Sequence, residues 1–191
     1  IPVITALNPA GGKRGQTLTS SPVGENLGNV SSLSFQIPVN VIPDRPLWLF
    51  PDTPAGVGLP TSISSNDLVQ FAADKRGASA PAITVYSSSP PSCVNGWLAP
   101  RQKQIIPFAV EAGRTISIRC IARAAGSRLY PLIRILDSAG KELLNTEDQL
   151  GRDIAVNWTA PSAGTFQAEV SSADNLGGPE HFYRLTFWPA G

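Results

Sequence analysis

The sequence predicts an all-β protein of two tandem antiparallel β-sandwiches, and three observations carry that expectation. First, 17 glycines and 18 prolines stand among 191 residues, roughly half again the average usage, which favours many turns and few long helices. Second, apolar residues recur with period two in short runs, with no convincing 3.6-residue pattern between them. Third, the runs are separated by clusters of Gly, Pro, Asn, Asp and Ser, as in antiparallel sandwiches and unlike βαβ units. Hydrophobic residues make up 42% of the chain and charged residues 15%. That balance supplies a core and excludes disorder.

In chain order, residues 4–7 form the first strand candidate, Asn8-Pro9-Ala10-Gly11-Gly12 a turn, and Thr17-Leu18-Thr19 the start of a second strand. Stretches 30–37 and 47–50 are strand-like, but Pro38, Pro43, Pro46, Pro51, Pro54 and Pro60 punctuate this region too often for any helix. Residues 67–72 and 82–86 complete the half. Ser87-Ser88-Ser89-Pro90-Pro91-Ser92 is short, polar and Pro-rich, so it reads as a linker. It divides the chain into domains of residues 1–88 and 89–191. Beyond it, strands are expected at 94–98, 105–110, 115–122, 132–137, 154–158, 166–170 and 182–188. A short helical turn has room only at 142–150, after a hairpin turn at Asp137-Ser138-Ala139-Gly140.

Two resemblances attach to these halves. Pro2, Ile4, Pro9, Gly11-Gly12, Gly15, Thr17-Leu18 and Gly24-Glu25-Asn26-Leu27-Gly28 resemble the opening of an IPT/TIG domain, an immunoglobulin-like sandwich. Ala73-Asp74-Lys75-Arg76-Gly77 and Ile83-Thr84-Val85-Tyr86 echo its later turn and closing strand, while residues 38–60 depart from it as a Pro-rich insertion or distorted edge. Residues 94–189 are similar to the bacterial pre-peptidase C-terminal (PPC) domain. The matching elements are Val94-Asn95-Gly96, Phe108 before Ala112-Gly113-Arg114-Thr115, the Asp137 to Leu143 turn, Thr159-Ala160-Pro161-Ser162-Ala163-Gly164, and Gly177-Gly178-Pro179-Glu180-His181. This resemblance implies a jelly-roll-like, non-catalytic module of secreted enzymes and cell-surface proteins. Some relatives bind calcium through an acidic segment before the first strand and an Asp-x-Asp pair before the second. Here those stretches read Ser88-Ser89-Pro90-Pro91-Ser92 and Arg101-Gln102-Lys103-Gln104, which lack the carboxylates a hard cation needs. No metal and no cofactor are expected, Glu147, Asp148 and Asp153 being read as solvated loop carboxylates.

Net charge is +1, from 15 Lys and Arg against 14 Asp and Glu, so no nucleic-acid partner is implied. No apolar run reaches the length of a membrane span, so no membrane insertion is expected. A chain without methionine that opens at Ile1 is expected to come from a longer parent, exported beyond the cytoplasm. Cys93 and Cys120 permit one disulfide, which would contribute about 3.5 kcal/mol in the chain-entropy picture; the alternative is two unpaired thiols. Cys120 shares a strand face with Ile116 and Ile118.

Catalysis is not expected. The single histidine, His181, has Asp174 and Glu180 near in sequence but no nucleophile elbow or Cys-His pairing, and reads as a surface loop residue. A binding face is the more informative candidate. By strand parity Tyr183, Leu185 and Phe187 share the core face, leaving Phe182, Arg184 and Trp188 outward. The same parity places Arg119 and Arg134 outward on their own strands. Such a basic, partly aromatic face suits an acidic or sulfated glycan, or the neighbouring domain. The alternatives are Trp188 covering the sandwich end, Phe182 packed beneath a loop, and arginines keeping an outer sheet soluble. The expected role is thus a non-catalytic accessory module acting in binding, spacing or orientation, with carbohydrate or matrix recognition as the alternative and a glycan or protein as ligand. Trp158 is in phase with Ile154 and Val156, hence core; Trp48 and Trp97 have no assignment.

Overall fold

Residue alternation sets each strand, and the chain begins with it: in Thr17–Glu25, Leu18 and Ser20 turn inward while Thr17, Thr19 and Ser21 face solvent. The computed structural model describes residues 1–73, 79–149 and 151–190, with the side chain of Asp148 set aside. The first eight strands are β1 (Val3–Asn8), β2 (Gly11–Lys13), β3 (Thr17–Glu25), β4 (Leu33–Gln36), β5 (Pro46–Leu49), β6 (Asp52–Thr53), β7 (Gly56–Val57) and β8 (Thr61–Asn66). Sheets β1-β3-β4 and β2-β8-β5 close over Leu7, Leu18, Ile37 and Ile63. The Pro-rich stretch forms the edge strand β5 and the two-residue hairpin β6-β7, because prolines lacking an N–H are tolerated where no ladder partner is needed.

The larger sandwich contains β9 (Val69–Ala72), β10 (Ile83–Thr84), β11 (Ser92–Trp97), β12 (Gln104–Val110), β13 (Thr115–Ile121), β14 (Pro131–Leu136), β15 (Glu142–Asn145), β16 (Ile154–Thr159), β17 (Gly164–Ser172) and β18 (Phe182–Pro189). They form two five-stranded sheets, β10-β12-β17-β14-β15 and β16-β13-β18-β11-β9. The core between them includes Ile106, Phe108, Ile116, Ile118, Ile133, Leu185 and Phe187. Phe108 anchors its aromatic centre, with ring centroids 5.1 Å from Phe187, 5.9 Å from Trp158 and 6.1 Å from Phe166. Such tilted and edge-on pairs add to the burial of apolar area. The protein is therefore all-β, two sandwiches in tandem, with three edge strands, β2, β9 and β10, paired in parallel.

Sheet membership changes hands earlier than the polar linker. Strands β9 and β10, expected in the first half, pair with β11 and β12 of the second. The chain thus crosses between Asn66 and Val69, and residues 87–91 connect two strands of one sandwich. The Pro-Ser composition there makes a tight turn, with Ser89 N–H donating to the Tyr86 carbonyl at 2.9 Å. Residues 142–150 hold strand β15 and a single 3-10 turn at Glu147–Gln149. The hairpin turn at Asp137 is present, with Gly140 at φ 81° and its N–H donating to the Asp137 carbonyl. Asp74 of the resemblance, and its neighbours to Gly77, lie outside the described residues.

The two cysteines are free and buried, the second of the two alternatives the sequence leaves open. Strand β18 runs between them, pairing with β11 on one side and β13 on the other, so their backbones stand roughly 10 Å apart, beyond the reach of a disulfide. They also occupy opposite faces: Cys120 is in the core, while Cys93 lies beside Arg184.

Candidate functional site

The non-core face of sheet β16-β13-β18-β11-β9 receives the first sandwich. Phe182 buries itself against Ala6 and Ala10, and Asn8 Nδ2 donates to the Pro179 carbonyl at 3.0 Å. Gly11 allows the close approach. A Cβ on Gly11 would lie 2.1 Å from the Ser64 carbonyl oxygen and 2.2 Å from Arg184 Nη1. Within the larger sandwich, a Cβ on Gly96 would lie 2.6 Å from Ala73 Cβ and 2.8 Å from the Tyr183 ring.

Beside this contact a cleft of about 970 Å³ opens between the sandwiches, large enough for a small-molecule ligand. Residues of β2 and β3, among them Lys13, Thr17 and Ser21, line one wall; β9 and β11 supply the other through Gln70, Phe71, Asn95 and Trp97. Asn8, Gln16, Gln102 and Gln104 add further amides. Trp97 stands at 39% exposure, presenting part of its ring at the rim.

A chain of hydrogen bonds orients the amides on the floor. Leu68 N–H donates to Asn66 Oδ1 at 3.2 Å, so that atom is an acceptor. Gln70 must therefore turn its Nε2 toward it, at 2.7 Å, which leaves Gln70 Oε1 to accept from Asn95 Nδ2 at 3.0 Å and Arg184 Nη2 at 3.3 Å. Arginine has only donors, so the orientation of Gln70 is fixed from both ends. Asn95 consequently holds Oδ1 without a partner although only 8% of the residue is exposed. An unmet buried acceptor costs about 1–3 kcal/mol, a cost the fold bears in holding the Asn95 amide in one orientation at the cleft wall.

Arg184 lies beneath this floor at 2% exposure. Its Nη2 bonds Gln70, while its Nε and Nη1 have no hydrogen-bond partner and it forms no ion pair among the described residues. Tight contact with Gly11 and the neighbouring sandwich accounts for its burial.

The expected binding face is thereby divided. Phe182 and Arg184 do point away from the core, as parity requires, but both are covered by the first sandwich. Trp188 remains 40% exposed, and Arg119 is also exposed. Arg134 sits on the other five-stranded sheet, bonded to Glu142 at 2.5 Å and Glu169 at 3.0 Å. These five side chains form no common surface. His181 is buried, against the expected surface loop, and its Nδ1 has no partner. Ser172 Oγ donates to Asp174 at 2.5 Å, so this serine hydroxyl is directed to the acid. The side chain of Asp148 lies outside the described residues, while Asp153 accepts from the backbone N–H groups of Ala122, Arg123 and Ala124. Among the described residues no cluster of three His, Cys, Asp or Glu is placed to hold a metal.

Lys13, Gln70, Asn95 and Trp97 were the residues that sequence reasoning passed over. One signal was available: Asn95 and Gly96 interrupt a strand that is otherwise well suited to burial, a pattern that marks close approach of another group.

No family model matches the sequence, and no curated protein matches it. Among solved structures, it is similar to PliG of Aeromonas hydrophila, a periplasmic inhibitor of g-type lysozyme, at 12% identity and TM-score 0.42 over 57% of this chain and 97% of that one. A mutant of the Escherichia coli PliG gives 9% identity and TM-score 0.37, covering 58% of this chain and 100% of that one. A carbohydrate-binding module of the β-sandwich superfamily gives 9% identity and TM-score 0.24 over 97% of this chain and 94% of the other. Likeness at this level extends no function or residue role to this chain. No helix among the described residues is long and apolar enough to cross a membrane.

Proposed function

We propose that this chain is a non-catalytic recognition module of an exported bacterial protein, IPT/TIG-like then PPC-like, and that the cleft between its sandwiches binds a saccharide. The observation that carries this reading is a cleft of about 970 Å³ lined by amides and hydroxyls, with the indole of Trp97 part-exposed at its rim. Saccharide hydroxyls both donate and accept, and the surrounding amides and hydroxyls match that chemistry. A half-exposed indole at the rim gives a sugar ring an apolar face to stack on. The non-catalytic reading is supported by the orientation of Ser172 toward Asp174 and by the unpaired Nδ1 of His181.

The test is binding of the purified chain to a broad glycan panel, with Asn95→Ala and Trp97→Ala variants and Trp188→Ala as the control outside the cleft. The proposal expects saturable binding that Asn95→Ala weakens and Trp97→Ala weakens by up to about tenfold, in line with the loss of a stacking ring, while Trp188→Ala has no effect. Binding abolished by Trp188→Ala and untouched by the cleft variants would refute it.

A further inference from the structure

Among the described residues that line it, the charge of the cleft is one-sided. Lys13 is the one charged side chain among its described lining residues, and no carboxylate joins it there. Asp67 feels the charge of Lys13 but is engaged by the Arg14 guanidinium, which holds its carboxyl below the usual range. Beneath the floor, Arg184 adds a second positive charge with two nitrogens unpartnered and no acidic partner among the described residues. A guanidinium removed from water and left without a counter-ion projects a field that the interior screens poorly. Gly11 and Gln70 separate that field from the cleft: both line it, one in contact with Arg184 and the other bonded to it. The described residues thus supply positive potential from two layers and neutral hydrogen-bonding groups elsewhere.

We propose that the cleft selects acidic saccharides, with a ligand carboxylate or sulfate seated against Lys13 above the buried charge of Arg184. This rests on the saccharide reading above and names the class of sugar. Lys13 makes the contact; Arg184 acts through its field and through Gln70, which fixes Asn95. A charge-assisted bond to the ammonium is roughly twice as strong as a neutral one, and its strength falls with salt where it is open to solvent.

The experiment compares a set of uronate oligosaccharides with their carboxyl-reduced counterparts, titrated into the whole chain at low and high ionic strength. Sulfated oligosaccharides and their desulfated forms provide a second arm that distinguishes the two acidic groups. The acidic form is expected to bind about tenfold tighter than its neutral counterpart at low salt. That ratio should shrink with added salt and fall severalfold toward one in Lys13→Gln, with Lys13→Arg restoring it. Unchanged thermal unfolding of Lys13→Gln shows that a lost ratio is not lost folding. Equal binding of acidic and neutral forms, or a ratio undiminished in Lys13→Gln, would overturn the inference and leave saccharide recognition standing. Failure of both forms to bind in every pair would remove the saccharide reading itself, and this inference with it.

Discussion

Gln70 and Asn95, on the neighbouring parallel strands β9 and β11, share a 3.0 Å hydrogen bond that fixes the orientation of the Asn95 amide at the cleft wall. The bond links the fold to the site. Gln70 belongs to the first strand after the chain leaves the small sandwich, so the crossing point and the cleft are built by the same few residues. Gln70→Ala should cost about 1–3 kcal/mol by leaving buried polar groups unpaired. It should also weaken saccharide binding although Gln70 acts through Asn95. Denaturant unfolding and titration of the same variant measure both; binding at full affinity would show that Asn95 needs no such orientation.

Gly11 stands against backbone as well as side chain, and this shapes a second prediction. Gly11→Ala should destabilise by about 1–3 kcal/mol through overpacking. Adding Arg184→Met should relieve only part of that, because the Ser64 carbonyl is 2.1 Å from the new methyl position and cannot be removed by mutation. Full rescue in a double-mutant cycle would place the whole conflict on Arg184.

Both thiols should resist modification in the native state. Burial pushes the Cys120 thiol far above its ordinary value, with the nearby Asp153 and Cys93 adding to the effect, so little thiolate forms. A thiol reagent should titrate no groups until denaturant is added and two afterwards. Reductant should leave the unfolding midpoint unchanged; a fall on reduction would contradict the free thiols.

Acid should weaken the turn after β17. Partial burial raises the Asp174 carboxyl, but bonds from Ser172 Oγ and Leu176 N–H, with the charge of His181, outweigh it and hold the value below normal. A depressed folded value means the stabilisation is complete above the unfolded value of about 3.9 and is lost as pH falls through the folded one. The stability gap between wild type and Asp174→Asn, measured by denaturant unfolding, should therefore be constant near neutrality and close below about pH 4. A gap that widened on acidification would reverse the sign.

Strand content, the core face of β18, and the placement of Cys120 and Trp158 were legible because period-two alternation is local. Sheet partnership was not. Val69–Ala72 and Ile83–Thr84 carry no mark of which sandwich they complete, and the Pro-Ser segment at 87–91 resembles a linker whether it joins domains or strands. Parity turned Phe182 and Arg184 outward correctly but could not show that a second sandwich lies over them. For the same reason the cleft was hidden. Its walls come from residues distant in sequence, and the meaning of Asn95 depends on Gln70, whose orientation is set by Asn66 and Leu68.

The most direct test of saccharide recognition in the cleft is an NMR titration of the isotopically labelled chain with the tightest-binding oligosaccharide of the glycan panel. The side-chain amide of Asn95 and the indole N–H of Trp97 should shift saturably, at the same affinity, while the indoles of Trp48 and Trp188 stay in place. Shifts confined to Trp48 or Trp188, or a panel in which nothing binds, would contradict the account.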